Sequence, residues 1–166
     1  MPTYRHRFRP GSSYFFTLNL ADRRSDLLTR HASLLGQSAR DVEGLYPFET
    51  IAAVILPDHM HMIWTLPDRD HQTRIRAIKA GFTARLADAT NTRESALQSL
   101  WQRSYWDYRI RDVADFSKHI AYIHGNPVKH GLVADPDEWR HSTWHRFKSD
   151  EILNWSPDPL VTSGET

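Results

Sequence analysis

Hydrophobic and polar positions along the chain alternate between period two and a period near 3.6. Residues 13–20 are aromatic and β-forming, with Tyr14, Phe16, Leu18 and Leu20 on one face, and predict a strand after the Gly11-Ser12 turn. From Ser25 or Asp26 to about Leu45 the period lengthens. Leu28, Leu35 and Val42 recur every seven residues, flanked by Leu34 and Leu45, which predicts a helix ahead of Pro47. Residues 48–56 read as a second strand, mostly apolar and therefore expected at the centre of a sheet. Pro57-Asp58 reverses the chain, and residues 59–66 return as an antiparallel third strand. Residues 72–88 predict an amphipathic helix with Ile75, Ile78, Phe82 and Leu86 on one side. After a loop comes a strand near 105–110. A helix then opens at Asp112 or Asp115, buries Phe116, Ile120 and Ile123, and ends at Asn126-Pro127, because proline disfavours helical backbone in the residue before it.

Strand, helix, strand, strand, helix, strand, helix is an α+β order. It suits an antiparallel sheet with packed helices, ferredoxin-like or RRM-like in character. A length of 166 residues is one domain's worth. The expected division is a single domain over residues 1–148, including a basic N-terminal arm in which Arg5, Arg7 and Arg9 alternate as in an extended segment, and an acidic, loosely ordered tail over 149–166. The absence of cysteine excludes disulfides, thiolate metal sites and a thiol nucleophile. No apolar run reaches 18 residues, and the first residues lack a signal-peptide pattern, so no membrane association and a cytoplasmic location are the expectation.

Within the third strand, His59 and His61 flank Met60, and side chains at i and i+2 share a face. The two imidazoles therefore project together, while Met60, Met62, Trp64 and Leu66 point into the opposite core. With ten histidines in the chain, about 0.5 such pairs arise by chance, so a polar sheet face explains the pair as well as a metal site does. Charge adds a second signal. Residues 1–30 carry six arginines against two aspartates, a net +4, and residues 149–166 carry four acidic groups and no basic one. A polyanion site with a segment that competes for it is one reading, and two solvated termini are the other. In the last helix, Tyr122 and Asn126 lie four apart and so share a face. Taken singly, they read as a half-buried aromatic and a helix end.

Several motifs together carry a resemblance. His59-Met60-His61 matches the His-hydrophobic-His signature of HUH nucleases. The run from Tyr122-Ile123-His124-Gly125-Asn126-Pro127 to Gly131 resembles the late helix of the REP-associated tyrosine transposases, relatives of the IS200/IS605 single-tyrosine transposases. Tyr14-Phe15-Phe16-Thr17, Leu56-Pro57-Asp58-His59, Leu100-Trp101-Gln102 and Ser142-Thr143-Trp144-His145-Arg146 are similar to the same family, in order over roughly residues 4–148. Gly125 departs from relatives that carry a second tyrosine there, which leaves Tyr122 as the one nucleophile. The resemblance implies an HUH nuclease fold and a single-tyrosine (Y1) strand transferase. Tyr122 would attack DNA to give a 5′-phosphotyrosine, and His59, His61 and Asn126 would hold Mg²⁺ or Mn²⁺. His119, one turn before Tyr122, is a candidate to take the phenolic proton.

The implied substrate is single-stranded DNA bearing REP-type hairpins, acted on by a monomer or homodimer associated with the nucleoid. Candidate DNA contacts are Arg5, Arg7, Arg9, Arg23, Arg24, Arg74, Arg76, Lys79, Trp101 and Arg103. Two readings compete with this one. The first is a non-catalytic nucleic-acid-binding module on an RRM-like sheet. The second is a separate metal site at His141 and His145, which stand at helical spacing.

Overall fold

A computed structural model describes residues 3–151, with the side chains of 4–148. After a 3₁₀ turn at Thr3–Arg7, the elements are β1 (Ser13–Asn19), α1 (Leu27–Arg30), α2 (Ala32–Leu45), β2 (Glu49–Ile55), β3 (His59–Thr65), α3 (His71–Ala89), β4 (Trp106–Arg109), α4 (Val113–Lys129) and α5 (Trp144–Glu151). The four strands form one sheet in the order β2-β3-β1-β4, with every pair antiparallel. That order and the βαββαβ succession define a ferredoxin-like unit.

Strand alternation decides how the layers pack. Tyr14, Phe16, Leu18 and Leu20 of β1 join Met60, Met62, Trp64 and Leu66 of β3 in a core closed by α2 and α3. The intervening residues face the other way. Phe15, Ile51, Val54 and Ile63 meet Phe116, Ile120 and Ile123 of α4. The helix that follows the ferredoxin-like unit thus covers the sheet face opposite α2 and α3, and this is the face that carries His59 and His61. Among the described residues no helix is long and apolar enough to cross a membrane.

Five expectations are corrected. The helix of residues 26–45 is broken at His31, whose backbone (φ −120°, ψ 35°) leaves the helical region. β2 lies at the sheet edge rather than its centre. Its apolar composition fits because residues 141–143 cap that edge, Thr143 N–H donating to the Ala53 carbonyl and Ile55 N–H to that of His141. The N-terminal arm is not extended: Tyr4 and Phe8 are buried and their rings pack on Phe116, which curls the segment against α4. α4 does not stop at Asn126. It runs through Pro127 to Lys129, since a proline so near the C-terminus removes only one ladder bond while the buried face holds the turn. Finally, α5 reaches Glu151, so a boundary at residue 148 falls inside a helix. The rest of the expected tail, residues 152–166, lies outside the described residues.

Candidate active site

His59 and His61 are buried side by side on β3, their ring centroids 5.0 Å apart. Each is held by its Nδ1. His59 Nδ1 lies 2.8 Å from Asp58 Oδ1, and His61 Nδ1 lies 2.8 Å from the Thr17 hydroxyl on β1, its cross-strand partner. With each Nδ1 proton donated this way, Nε2 is the nitrogen each ring would offer a metal, the arrangement by which proteins fix an imidazole for one. Burial, reinforced by the neighbouring His61, pushes His59 down to about 4. Burial, with His130 and Lys129 nearby, pushes His61 down to about 3. Both rings are therefore neutral at pH 7, the form that binds metal. Asp58 is in turn held by Arg23 at 2.5 Å. Burial pushes its carboxyl up, but the hydrogen bonds from Arg23 and His59 outweigh this and keep it below its ordinary value.

α4 delivers the other two predicted residues to the same place. The Tyr122 ring is edge-on to His61 at 5.3 Å and to Phe15 at 5.9 Å. One end of the helix's next two turns is pinned as well, His130 lying 5.1 Å from His59. Asn126, fully buried, sits on the helix between these two contacts and so faces the histidine pair. Asp112 caps the start of α4, its side chain accepting from Asp115 N–H at 2.8 Å. Two imidazoles and a carboxamide fit a divalent ion of the Mg²⁺ or Mn²⁺ kind. They are neutral ligands that leave the ion's charge intact. Among the described residues no group of three His, Cys, Asp or Glu side chains is placed to hold a metal ion.

Lys129 is a site residue that the motif reading overlooked. Its Nζ donates to the Tyr122 hydroxyl at 3.4 Å and lies 4.9 Å from the ring centroid. The signal was present, since residues seven apart on a helix return to one face. An ammonium here favours a phenolate over a phenol. His119, the proton-acceptor candidate, has its Nδ1 bonded to the Asp115 carbonyl at 2.8 Å, and its ring packs on Phe15 and Tyr108.

The basic candidates divide. Arg76, Lys79 and Arg103 line a cleft of about 390 Å³ with Tyr105, between α3 and the segment before β4. Lys79 Nζ stands over the Tyr105 and Trp101 rings at 5.4 and 5.7 Å. Trp101 itself packs edge-on against Phe82, so it supports Lys79 and does not form an open stacking face. Arg74 is a correction. It is 2% exposed and donates to Asp68 and to the carbonyls of Tyr46, Pro47 and Asp70, tying α3 to the loop before β2, so it has no donor left for DNA. Arg7 pairs with Glu49 at 2.8 Å, Arg9 donates to the His6 carbonyl, Arg24 approaches Asp22 at 3.5 Å, and Arg5 is half-buried. His141 and His145 do not share a helix. His141 precedes α5, and His145 Nε2 bonds the Trp139 carbonyl, so the pair forms no site.

A buried His-hydrophobic-His strand, faced by a helix carrying Tyr and Asn four residues apart, defines a tyrosine strand transferase of the HUH type. The chain belongs to the IS200-like transposases, whose family model matches residues 12–126. It is 42% identical to the REP-associated tyrosine transposase of Escherichia coli K12, over 95% of this chain and 93% of that one. A Haemophilus influenzae relative is 37% identical over 96% of both chains. Among solved structures, that of a REP-associated tyrosine transposase bound to a REP hairpin superposes with a TM-score of 0.80 at 38% identity, covering 95% of this chain and 92% of that one.

Proposed function

We propose that this chain cleaves and rejoins single-stranded DNA at repetitive palindromic hairpins, with Tyr122 as nucleophile and His59, His61 and Asn126 as ligands of one divalent ion. The observation that carries the reading is the packing of Tyr122 against His61, with Lys129 at its hydroxyl. When bound, the ion would polarise the scissile phosphate and offset charge in the transition state. Tyr122 Oη forms the new bond to phosphorus as the bond to the 3′ oxygen breaks, leaving a 5′-phosphotyrosine and a free 3′-OH. One phosphoester replaces another, so the 3′-OH can attack in reverse and rejoin the strand without ATP. Lys129 stabilises the phenolate as the hydroxyl gives its proton to solvent. Thr17 and Asp58 hold the imidazoles in the required tautomer. The ion is Mn²⁺ or Mg²⁺, the first favoured by imidazole softness and the second by abundance.

Arg76, Lys79, Arg103 and Tyr105 lie across the sheet from Tyr122 and would take the strand flanking the cut, phosphates on the cations and a base on the ring. All of these residues come from one chain, whether it acts as monomer or homodimer, and its DNA substrate puts it in the cytoplasm with the nucleoid. The non-catalytic RRM-like reading needs an open sheet face, and α4 covers it.

The test is a labelled hairpin oligonucleotide incubated with protein and Mg²⁺ or Mn²⁺, then denaturing electrophoresis. Wild type forms a covalent adduct, and Tyr122→Phe binds the hairpin but forms none. An adduct on Tyr122→Phe identifies another nucleophile, and no adduct on wild type refutes the nuclease reading.

A further inference from the structure

Thr17 and Asn19 stand on β1 facing α4, with Thr17 opposite His61 and Asn19 opposite His59. Directly opposed residues keep their Cβ atoms about 4.5–5.5 Å apart on one face. The four side chains thus make a square beneath Tyr122 and Asn126. Three corners have roles already: the two imidazoles, and the hydroxyl that orients one of them. The orienting role at His59 belongs to Asp58.

Asn19 is 3% exposed, and its Oδ1 is a buried oxygen with no hydrogen-bond partner among the described residues. Its backbone is satisfied, the carbonyl accepting from Gln102 N–H at 2.9 Å, so the side chain is not serving as a turn or cap. A buried carboxamide oxygen without a donor is unfavourable, and most such atoms in native proteins have a ligand or water. Opposite two imidazoles of the kind that bind metals, the ligand that an oxygen acceptor suits is a cation.

We propose that Asn19 Oδ1 is a further ligand of the divalent ion held by His59, His61 and Asn126. This rests on the metal site of the preceding subsection. The ion is then held by two imidazoles and two carboxamides, all neutral. An octahedral ion such as Mg²⁺ or Mn²⁺ would keep two positions for phosphate oxygens. The second carboxamide oxygen shifts the donor set toward these hard ions and away from Zn²⁺.

The experiment is Mn²⁺ titration of DNA-free protein, followed by electron paramagnetic resonance, for wild type, Asn19→Ala, Asn19→Asp and His59→Ala, with circular dichroism as the folding control. Asn19→Ala should bind Mn²⁺ about tenfold more weakly, and the near-isosteric Asn19→Asp about tenfold more tightly, since a carboxylate replaces a carboxamide. Wild-type affinity in either folded variant, with binding lost in His59→Ala, overturns the assignment of Asn19 alone. Wild-type affinity in His59→Ala overturns the metal site itself. If Asn19→Ala does not fold, Asn19→Asp decides.

Discussion

Replacing Thr17 by valine removes one oxygen from beneath the site while nearly preserving shape. Thr17 and His61 are both fully buried, and the hydroxyl lies 2.8 Å from His61 Nδ1. Without it, the Nδ1 proton loses its acceptor where water does not reach, a penalty of about 1–3 kcal/mol. The ring escapes by moving that proton to Nε2, the nitrogen proposed to bind the ion. Metal binding must then reverse the tautomer against the same penalty. Loss of such an orienting partner weakens metal affinity about 10- to 100-fold, or about 1.4–2.7 kcal/mol. Calorimetric titration of Mn²⁺ into wild type, Thr17→Val and Thr17→Ser measures this. The serine variant restores the hydroxyl and should recover most of the affinity. A valine variant that is folded by urea denaturation and binds Mn²⁺ within about twofold of wild type would refute the orienting role.

Arg74→Met should lower stability by about 3 kcal/mol, read from the urea midpoint, because it strands the Tyr46 and Pro47 carbonyls and an aspartate that Arg74 serves. Unchanged stability with a shallower salt dependence of DNA binding would return Arg74 to the DNA contacts. Lys79→Ala should weaken hairpin binding and reduce the slope of log affinity against log salt by about 0.7–0.9. It should leave Mn²⁺ affinity alone, and an unaltered slope would exclude a phosphate contact at the cleft. In metal-free protein, His59 and His61 titrate near 4 and 3 against an ordinary 6.5, so the unfolded chain takes up their protons first. Their stabilisation is complete above about pH 6.5 and is lost as pH falls through about 4 for His59 and about 3 for His61, at up to about 1.4 kcal/mol per pH unit for each group. Urea unfolding across that window checks this. His61→Gln should flatten the slope, and a flat wild-type profile contradicts the burial argument.

Local periodicity made much of the molecule legible. The i, i+2 rule placed His59 and His61 on one face of β3 and Met60, Met62 and Trp64 on the other. Helical spacing put Tyr122 and Asn126 together, and the order of elements gave the ferredoxin-like unit. Where local rules failed, long-range contacts had overridden them. Pro127 ends a helix in isolation, but the buried face of α4 carries it on to Lys129. β2 is apolar for a covered edge, which no property of β2 itself distinguishes from a central position.

By its own order of residues, the chain determined which side chains share a face, because backbone geometry within one element depends only on neighbours. Which faces meet was decided by the fold. That α4 closes over the histidine face, that β1 sets Thr17 against His61 and Asn19 against His59, and that Arg74 is spent inside while Lys79 opens onto a cleft all depend on register and layer packing. Most of these contacts join residues far apart in the chain, and only the buried surface and strand pairing of the whole domain select them.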